Sequence, residues 1–309
     1  MNFENKKATR EAYGEVLKEL GKENEKVVVL DADLSNATKT GGFAKEFPDR
    51  FFNMGIAEQD MVSTAAGLST CGKIPFASSF AVFLTGRAYD QVRNSVAYPN
   101  LNVKLCGTHA GVTVGEDGAT HQMLEDISIT RTLPNLKVFC PADEIETRWL
   151  IKEIAKIEGP CYVRLGRSKV PQIYDENENF EIGKFKVFGE GTDATIFASG
   201  VTVSEALIAK DELEKEGINV RVVDVCSIKP LDEETILKCA KETKKLISVE
   251  DHMVTGGIGS AIAEVLTDKY PTKLTRIGIN DTFGKSGKAG ELVKYYGLDS
   301  TNIIKTVKE

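Results

Sequence analysis

The chain has 309 residues, 41% hydrophobic and 28% charged, with a formal net charge of −7, which is typical of a globular protein with room for two domains. The acidic balance argues against a nucleic-acid surface, which would need a basic patch. No apolar run approaches the length of a membrane span, so we expect no membrane segment.

The first half of the chain alternates apolar runs with amphipathic segments. Ala12, Val16 and Leu20 fall on one helical face, and Gly21 is predicted to end that helix. KVVVLDAD predicts a buried strand, and AEQDMVSTAAGLS, KIPFASS and RAYDQVRNSVA predict helix, strand and helix. Strands at NVKLCGT, LKVFCPA and CYVRLGR and a helix capped by Asp143 follow. This alternation predicts a parallel, doubly wound sheet between helices.

A polar, acidic stretch without periodicity interrupts the pattern at residues 171–190 and is predicted to be a linker. A second alternation then runs from DATIFASG to the end of the sequence. The sequence therefore predicts two three-layer α/β/α domains, residues 1–170 and 191–309. We expect the second domain to contain a mostly parallel mixed sheet.

Three motifs that would suggest nucleotide or zinc binding do not have the spacing that such sites need. GINDTFGKSGKAGE lacks the glycine spacing of a P-loop, and TGGIGSAIAE has Ile262 where a dinucleotide fingerprint needs Gly or Ala. Cys106 and His109 form only half of a zinc site, so we expect no metal ligands here. The six cysteines form no C-x-x-C pair, and the N-terminal segment lacks the apolar core of a signal peptide. We therefore expect reduced thiols and a cytoplasmic location.

A single acidic residue stands out in the segment FFNMGIAEQDM. Glu58 lies among apolar neighbours, and neither Lys nor Arg occurs within six residues of it. Burying a carboxylate is costly unless a partner stabilises it or it takes up a proton. The structural interpretation is an acid favoured by a helix N-terminus. The functional interpretation is a carboxyl group that carries a proton.

Two other segments place aromatic or titratable side chains after predicted strands. Phe80 and Phe83 lie in SSFAVFLTGRAYDQ, and the glycine-rich segment GTHAGVTVGEDGATHQ carries His109, Asp117 and His121. Ligands of open parallel sheets bind at the carboxyl edge of the strands, and loops on a rigid scaffold often carry chemistry. Taken alone, these residues could equally be core aromatics and structural histidines.

Taken together, these motifs resemble a known family. NMGIAEQD, SSFAVFLTGRAYDQVR, THAGVTVGEDGATHQ and CPADEIE are similar to the pyrimidine-binding domain of the thiamin-diphosphate enzymes of the transketolase group. EDHMVTGGIGSAIAEVL and FGKSGKAGELVKYYGL resemble the C-terminal domain of that group. The family's diphosphate-binding half carries a G-D-G motif that this sequence lacks. The resemblance therefore implies the C-terminal subunit of a split transketolase, with the diphosphate and a divalent metal (Mg or Ca) held by an N-terminal partner subunit.

The resemblance also implies roles at the cofactor. Glu58 matches the catalytic Glu whose carboxyl donates a hydrogen bond to N1′ of the aminopyrimidine of thiamin diphosphate. Phe80 and Phe83 match the aromatics against the pyrimidine face, and which ring stacks is left open. His109 matches a further active-site histidine, and we expect it to act in catalysis with His121.

Other matches concern the sugar phosphate. Asp117 and His121 match residues that hydrogen-bond the hydroxyls of the donor ketose. Ser35 and Arg167 match residues that grip the phosphate, a task that suits Arg. The family usually has an Arg in its opening R-K-A motif, whereas this chain has KKAT. Lys6 is the candidate replacement.

The implied activity is transfer of a two-carbon ketol unit from a ketose phosphate to an aldose phosphate, in the pentose phosphate pathway. We expect a homodimer of this chain within a heterotetramer. The alternatives are deoxyxylulose phosphate synthase, a 2-oxo acid dehydrogenase beta-type subunit and a non-catalytic assembly subunit. THAG speaks against the first and GEDGATHQ against the second. The joint presence of Glu58, Asp117 and His121 argues against the third.

Overall fold

The computed structural model describes residues 2–309, in which strands and helices alternate along the chain. The strands of the first half are β1 Asn2–Ala8, β2 Val27–Asp31, β3 Phe51–Asn53, β4 Ile74–Phe80, β5 Lys104–Thr108, β6 Lys137–Phe139, β7 Cys161–Arg164 and β8 Lys169–Gln172. Its helices are α1 Thr9–Glu23, α2 Ser35–Thr38, α3 Gly41–Glu46, α4 Glu58–Thr70, α5 Tyr89–Gln91, α6 Asp126–Arg131 and α7 Glu144–Ile154. Two π-helical turns, Val82–Arg87 and Val92–Ala97, flank α5.

The second half continues the alternation. Its strands are β9 Lys186–Phe188, β10 Ala194–Ala198, β11 Val220–Asp224, β12 Ser227–Lys229, β13 Lys245–Met253 and β14 Leu274–Ile279. Its helices are α8 Thr202–Lys215, α9 Glu233–Glu242, α10 Ile258–Lys269, α11 Ala289–Tyr295 and α12 Ser300–Lys308. No helix among the described residues combines the length and apolarity needed to cross a bilayer.

Two parallel-dominated sheets form the two halves. The first has the order β12-β6-β7-β5-β4-β2-β3, with every pair parallel except β12–β6. The second has the order β14-β13-β10-β11-β9, with only β9 antiparallel. Every residue of β2, β5, β10 and β11 is buried, as expected for strands covered by helices on both faces. The predicted α/β class and parallel sheets are confirmed.

The two halves are joined more closely than the sequence suggested. Strand β12 belongs to the second half by sequence but pairs with β6 at the edge of the first sheet, with Ser227 opposite Phe139. Strand β8 pairs with β1 and ends at Gln172, and β9 lies inside the segment predicted to be a linker. One hydrophobic cluster contains residues of both halves, including Val138 and Val223. The domain boundaries at 170 and 191 stay a prediction.

The prediction that Gly21 ends α1 is wrong, because the helix continues to Glu23. A Cβ atom on Gly21 would lie 2.4 Å from the ring of Phe47 and 2.7 Å from that of Phe43. Gly21 is therefore a point of close packing between α1 and the segment around α3.

Candidate active site

Parallel strands bring the predicted site residues to one edge of the first sheet. Phe80 ends β4 and lies opposite Thr108, the last residue of β5, so His109 follows directly beside it. Glu58 is the first residue of α4, which follows β3, and Ser35 begins α2 after β2. All four segments therefore emerge at the carboxyl edge, where ligands of parallel sheets bind.

Glu58 is buried and ion-paired. Its side chain is 1% exposed, and Oε2 accepts a hydrogen bond from Arg87 Nη1 at 2.8 Å. Of the two ways to stabilise a buried carboxylate that the sequence left open, the structure provides a partner. Sequence proximity could not reveal this pair, because its members lie 29 residues apart and meet through the turn of Val82–Arg87.

Arg87 is a weakly held partner. Its side chain is 45% exposed, and its guanidinium carbon lies 4.6 Å from the centroid of the Phe83 ring. The guanidinium of Arg87 can be rehydrated when it leaves, whereas the buried Glu58 carboxylate then needs a proton or another hydrogen-bonding partner in its place. A ligand with a hydrogen-bonding nitrogen can therefore take the place of Arg87 at the carboxyl group of Glu58.

Four rings form an aromatic cluster next to this ion pair: Phe80, Phe83, His109 and His121. The Phe80 and Phe83 rings are nearly parallel, with centroids 5.9 Å apart and an angle of 11°. His109 stacks on Phe80 at 3.8 Å, and His121 meets Phe83 edge-on at 5.5 Å. Phe80 is buried and Phe83 half-buried, so Phe83 offers more surface to a planar ligand.

His109 is held as a neutral imidazole. It has a φ of 58°, its Nδ1 lies 2.9 Å from Thr108 Oγ1, and its Nε2 lies 3.4 Å from Arg10 Nη1. Burial, reinforced by the charges of Arg10 and Arg167, lowers the pKa of His109 to about 3. A neutral ring can hydrogen-bond a substrate without adding a third positive charge beside the two guanidinium groups.

Arg10 is a candidate site residue that the sequence interpretation missed. Its Nη1 donates to the carbonyl O of Ala37 at 2.6 Å, while its buried Nε finds no hydrogen-bond partner among the described residues. Burial lowers the pKa of Arg10, and the nearby Arg167 charge acts in the same direction. Two guanidinium groups and a free donor suit an anion. One signal was available: Arg10 lies in the first turn of α1, where the helix dipole disfavours a cation.

The segment between the two histidines lies next to Arg167. Arg167 Nη1 donates to the carbonyl O of Val114 and to Glu116 Oε2 at 3.2 Å, and Asp117 Oδ2 lies 4.0 Å away. His121 Nδ1 lies 2.9 Å from Thr120 Oγ1. Asp117 is thus close to Arg167, and both side chains remain partly exposed, whereas His121 contacts Phe83.

Ser35 and Lys6 line different cavities. Ser35 lines a cavity of about 530 Å³ together with Lys7 and Lys39. Lys6 lies on β1 and lines a cavity of about 640 Å³ between the two halves, together with Thr113. The structure does not bring Lys6 beside Ser35, and phosphate binding by Lys6 stays a prediction.

One motif set aside on spacing has a structural role. The N-terminus of α10, in TGGIGSAIAE, is occupied by Glu250, whose carboxylate accepts hydrogen bonds from the amides of Ile258 and Gly259. No cluster of three or more His, Cys, Asp or Glu side chains suited to a metal occurs in the part of the chain that the structure describes. All six cysteines are free, and all except Cys71 are buried.

Two family models together match most of the chain. The transketolase pyrimidine-binding domain matches residues 5–172, and the transketolase C-terminal domain matches residues 183–303. The site at the carboxyl edge lies within the first match, and β10 to α12 lie largely within the second.

Sequence relatives agree with these matches. A putative transketolase C-terminal section from Methanocaldococcus jannaschii is 54% identical over 98% of this chain and 96% of that protein. The 6-deoxy-6-sulfo-D-fructose transketolase subunit SqwH from Clostridium sp. strain MSTE9 is 40% identical over 97% of this chain and 93% of its own length. Transketolase from Homo sapiens is 41% identical over 97% of this chain but only 48% of the human protein, so the chain spans about half of it.

Solved structures are similar as well. A split-gene transketolase, described as an inactive β4 tetramer, has a TM-score of 0.91 at 53% identity and 97% coverage of both chains. Transketolase from Campylobacter jejuni has a TM-score of 0.84 at 25% identity, covering 98% of this chain and 47% of its own. The chain therefore belongs to the transketolase family, with a pyrimidine-binding domain followed by a transketolase C-terminal domain.

Proposed function

We propose that this chain is the C-terminal subunit of a split transketolase that moves a two-carbon ketol unit from a ketose phosphate to an aldose phosphate. The observation that carries the proposal is the buried Glu58 with its replaceable partner Arg87, next to the aromatic cluster. The relatives support a transketolase rather than a deoxyxylulose phosphate synthase or a 2-oxo acid dehydrogenase subunit.

The site fits one end of thiamin diphosphate, on which the transketolase family depends. An aminopyrimidine is planar and carries ring nitrogens, and the site offers a partly exposed Phe83 beside a buried carboxyl group. When bound, thiamin diphosphate supplies the electron sink for breaking and forming the carbon–carbon bond beside the ketose carbonyl. We assign its diphosphate and a divalent metal, Mg or Ca, to the partner subunit, because the family's G-D-G motif is absent from this sequence.

Glu58 is assigned the proton at N1′ of the pyrimidine. With the cofactor bound, the carboxyl group of Glu58 would donate a hydrogen bond to that ring nitrogen, and its burial would keep out water that competes for the same proton. Arg87 would leave the carboxyl group for solvent, and the face of Phe83 that it now covers would be free for the pyrimidine. Phe83 is the ring that we assign to the pyrimidine, with Phe80 and His109 stacked behind it.

The sugar phosphate is assigned to the other side of the cluster. Arg10 and Arg167 bind the phosphate, and Ser35 adds a hydroxyl donor at the edge of the same region. Asp117 and His121 bind hydroxyl groups of the donor ketose. His109 stays neutral and hydrogen-bonds the substrate near the reacting carbons. We place Lys6 in a secondary role, because it lines a different cavity from Ser35.

The proposal includes assembly with a partner. The relatives from M. jannaschii and the split-gene transketolase support an N-terminal subunit that completes each active site. We propose a homodimer of this chain within a heterotetramer, located in the cytoplasm and working in the pentose phosphate pathway. The split-gene relative is inactive as a β4 tetramer, which supports self-association of this chain without activity.

Product analysis of the reconstituted complex tests the proposal. With xylulose 5-phosphate and ribose 5-phosphate, we expect a ketose phosphate two carbons longer than the aldose, and only when thiamin diphosphate and a divalent metal are added. Because one relative is named a 6-deoxy-6-sulfo-D-fructose transketolase subunit, that sulfonated sugar is a useful second donor to test. Decarboxylation of 2-oxo acids without ketol transfer would show that the proposed activity is wrong.

A further inference from the structure

One buried carboxylate in the second half of the chain, Asp251, contacts a loop of the candidate active site. Asp251 lies in β13, is 1% exposed, and faces the segment of residues 109–122, which we name the substrate loop. Its Oδ1 accepts a hydrogen bond from the amide of Val112 at 2.8 Å. Its Oδ2 accepts from the amide of Thr113 at 3.3 Å and from Thr113 Oγ1 at 2.8 Å. A single side chain thus binds three donors of the substrate loop.

The fit between Asp251 and the substrate loop is close. A Cβ atom on Gly111 would lie 2.0 Å from Asp251 Oδ2, and Gly111 has a φ of 80°, so only glycine suits this position. Asp251 is itself fixed, because its carbonyl O accepts a hydrogen bond from Arg164 Nη2 at 2.7 Å. Arg164 in turn is ion-paired with the buried Asp126. The carboxylate therefore has little freedom to follow a displaced loop.

The loop segment preceding α11 makes additional contacts. Gln122 Nε2 donates to the carbonyl O of Lys285 at 2.9 Å and also to those of Val112 and Gly115. Ser286 Oγ donates to the carbonyl O of Glu116. The substrate loop is thus tied to the second half of the chain near its middle and near its end.

The substrate loop needs such ties, because its own secondary structure is slight. It contains one short 3-10 turn, Val112–Val114, and positive φ angles at His109, Gly111, Gly115 and Gly118. The backbone hydrogen bonds within the loop are those of single turns, such as Gly118 N to Gly115 O, so tertiary contacts are needed as well to fix its shape.

We propose that Asp251 is a positioning residue for the reaction, and that the second half of the chain acts through it to set the conformation of the substrate loop. This inference rests on the proposed function, in which the loop binds the donor ketose through Asp117 and His121. Misplacement of the loop removes the alignment of the ketose with the cofactor, whereas Glu58 and Phe83 lie outside the loop and keep their ion pair and ring contacts with Arg87.

Glu250 provides a matched control. It precedes Asp251 on β13 and is equally buried, but its carboxylate binds the amides of Ile258 and Gly259 at the start of α10. Replacing the carboxyl group of Glu250 by an amide therefore tests the general cost of altering a buried acid in this strand. The same replacement at Asp251 tests the hydrogen bonds to the substrate loop.

The experiment compares Asp251→Asn, Glu250→Gln and Thr113→Val in the complex with the partner subunit. We expect Asp251→Asn to lower kcat/KM for the donor ketose by about 100-fold, since small misplacements of bound groups have effects of that size. The affinity for thiamin diphosphate is expected to change much less, because Glu58 and Phe83 lie outside the loop. Thr113→Val removes one donor without touching the buried charge, so it gives a smaller loss in the same direction even if Asp251→Asn folds poorly. Glu250→Gln should stay within about threefold of the wild type.

Hydrogen exchange of the full chain gives a readout that needs no activity. We expect faster exchange in residues 109–122 for Asp251→Asn and Thr113→Val, and in α10 for Glu250→Gln. The inference is overturned if loop exchange is unchanged in both loop variants, or if Glu250→Gln lowers kcat/KM as much as Asp251→Asn. If the wild-type complex transfers no ketol unit, the proposed function fails, whereas the exchange data still decide whether Asp251 holds the loop.

Discussion

Two buried carboxylates, Glu58 and Asp251, show that burial alone does not distinguish a reactive group from a structural one. Each is 1% exposed. Glu58 is paired with an arginine that is 45% exposed, whereas Asp251 accepts hydrogen bonds from two backbone amides and a threonine hydroxyl. A ligand can replace the arginine, but it cannot replace donors that belong to the fold. The partner, and how freely it can leave, separates the two roles.

The largest expected effect comes from Glu58→Ala. Loss of the carboxyl removes the proposed proton at N1′ and should lower kcat of the complex by about 10³-fold at saturating thiamin diphosphate. Asp60→Ala is the matched control, because Asp60 is an exposed acid in the same first turn of α4. Near-normal turnover in Glu58→Ala, or an equal loss in Asp60→Ala, would remove Glu58 from the mechanism.

Gly111→Ala tests the close packing between the substrate loop and Asp251. The new Cβ atom would lie 2.0 Å from Asp251 Oδ2 at a φ of 80°, so we expect the free energy of unfolding to fall by about 1–3 kcal/mol. Urea denaturation measures this. Gly67→Ala is the control, because Gly67 lies within α4 with no atom within 4 Å of a new Cβ, and alanine there should stabilise the chain by about 0.5–1 kcal/mol. Equal stabilities of the two variants would argue against the tight fit at Asp251.

Arg10→Leu tests the proposed anion site formed by Arg10 and Arg167. Loss of a charged hydrogen-bond donor should raise KM for phosphorylated donors by about 10- to 100-fold and should affect a non-phosphorylated ketose much less. Lys6→Gln separates the two candidate cations, and we expect it to change KM less than Arg10→Leu does. A larger effect of Lys6→Gln would restore Lys6 as the replacement for the family's arginine.

The last test concerns pH and a third set of buried acids, where the two halves meet. Burial, followed by the charge of Asp224, raises the pKa of Glu146 well above its usual value, and burial raises the pKa of Asp224 to about 7. Tyr174 donates a hydrogen bond to Asp224 Oδ2 at 2.7 Å. The folded protein therefore retains protons that the unfolded chain releases near pH 4 to 4.5.

Since the folded state binds more protons, stability should fall as pH rises from about 4.5 toward 7, by about 1.4 kcal/mol per pH unit for each proton. Urea midpoints across this range measure the slope. Glu146→Gln removes one titrating group and should flatten the curve, whereas Asp211→Asn, at an exposed position of α8, should leave it unchanged. A wild-type curve that rises between pH 5 and 7 would contradict the retained protons.

The sequence predicted features that local signals encode. Alternating apolar runs identified the parallel sheets, and the position of Phe80 and His109 after strands placed them at one edge. Contacts between distant segments carried no such signal. Arg87 reaches Glu58 through a π-helical turn, Asp251 reaches the substrate loop from the second half, and both depend on the folded geometry.

Local rules also misled where packing dominated. Gly21 is a residue type that often ends helices, but here it lies inside α1, where the rings of Phe43 and Phe47 leave no room for a Cβ atom. The segment at 227–229 follows β11 of the second half but pairs with β6 at the edge of the first sheet. Neither outcome follows from periodicity or from turn chemistry.

The central claim is that this chain forms only part of the active site and needs the partner subunit for activity. The most direct test is a titration of the partner subunit into a fixed amount of this chain. Initial rates of ketol transfer are recorded at saturating thiamin diphosphate and metal. The account predicts no transfer without the partner, a linear rise on addition, and a plateau at equal molar amounts. Ketol transfer by the isolated chain would contradict it.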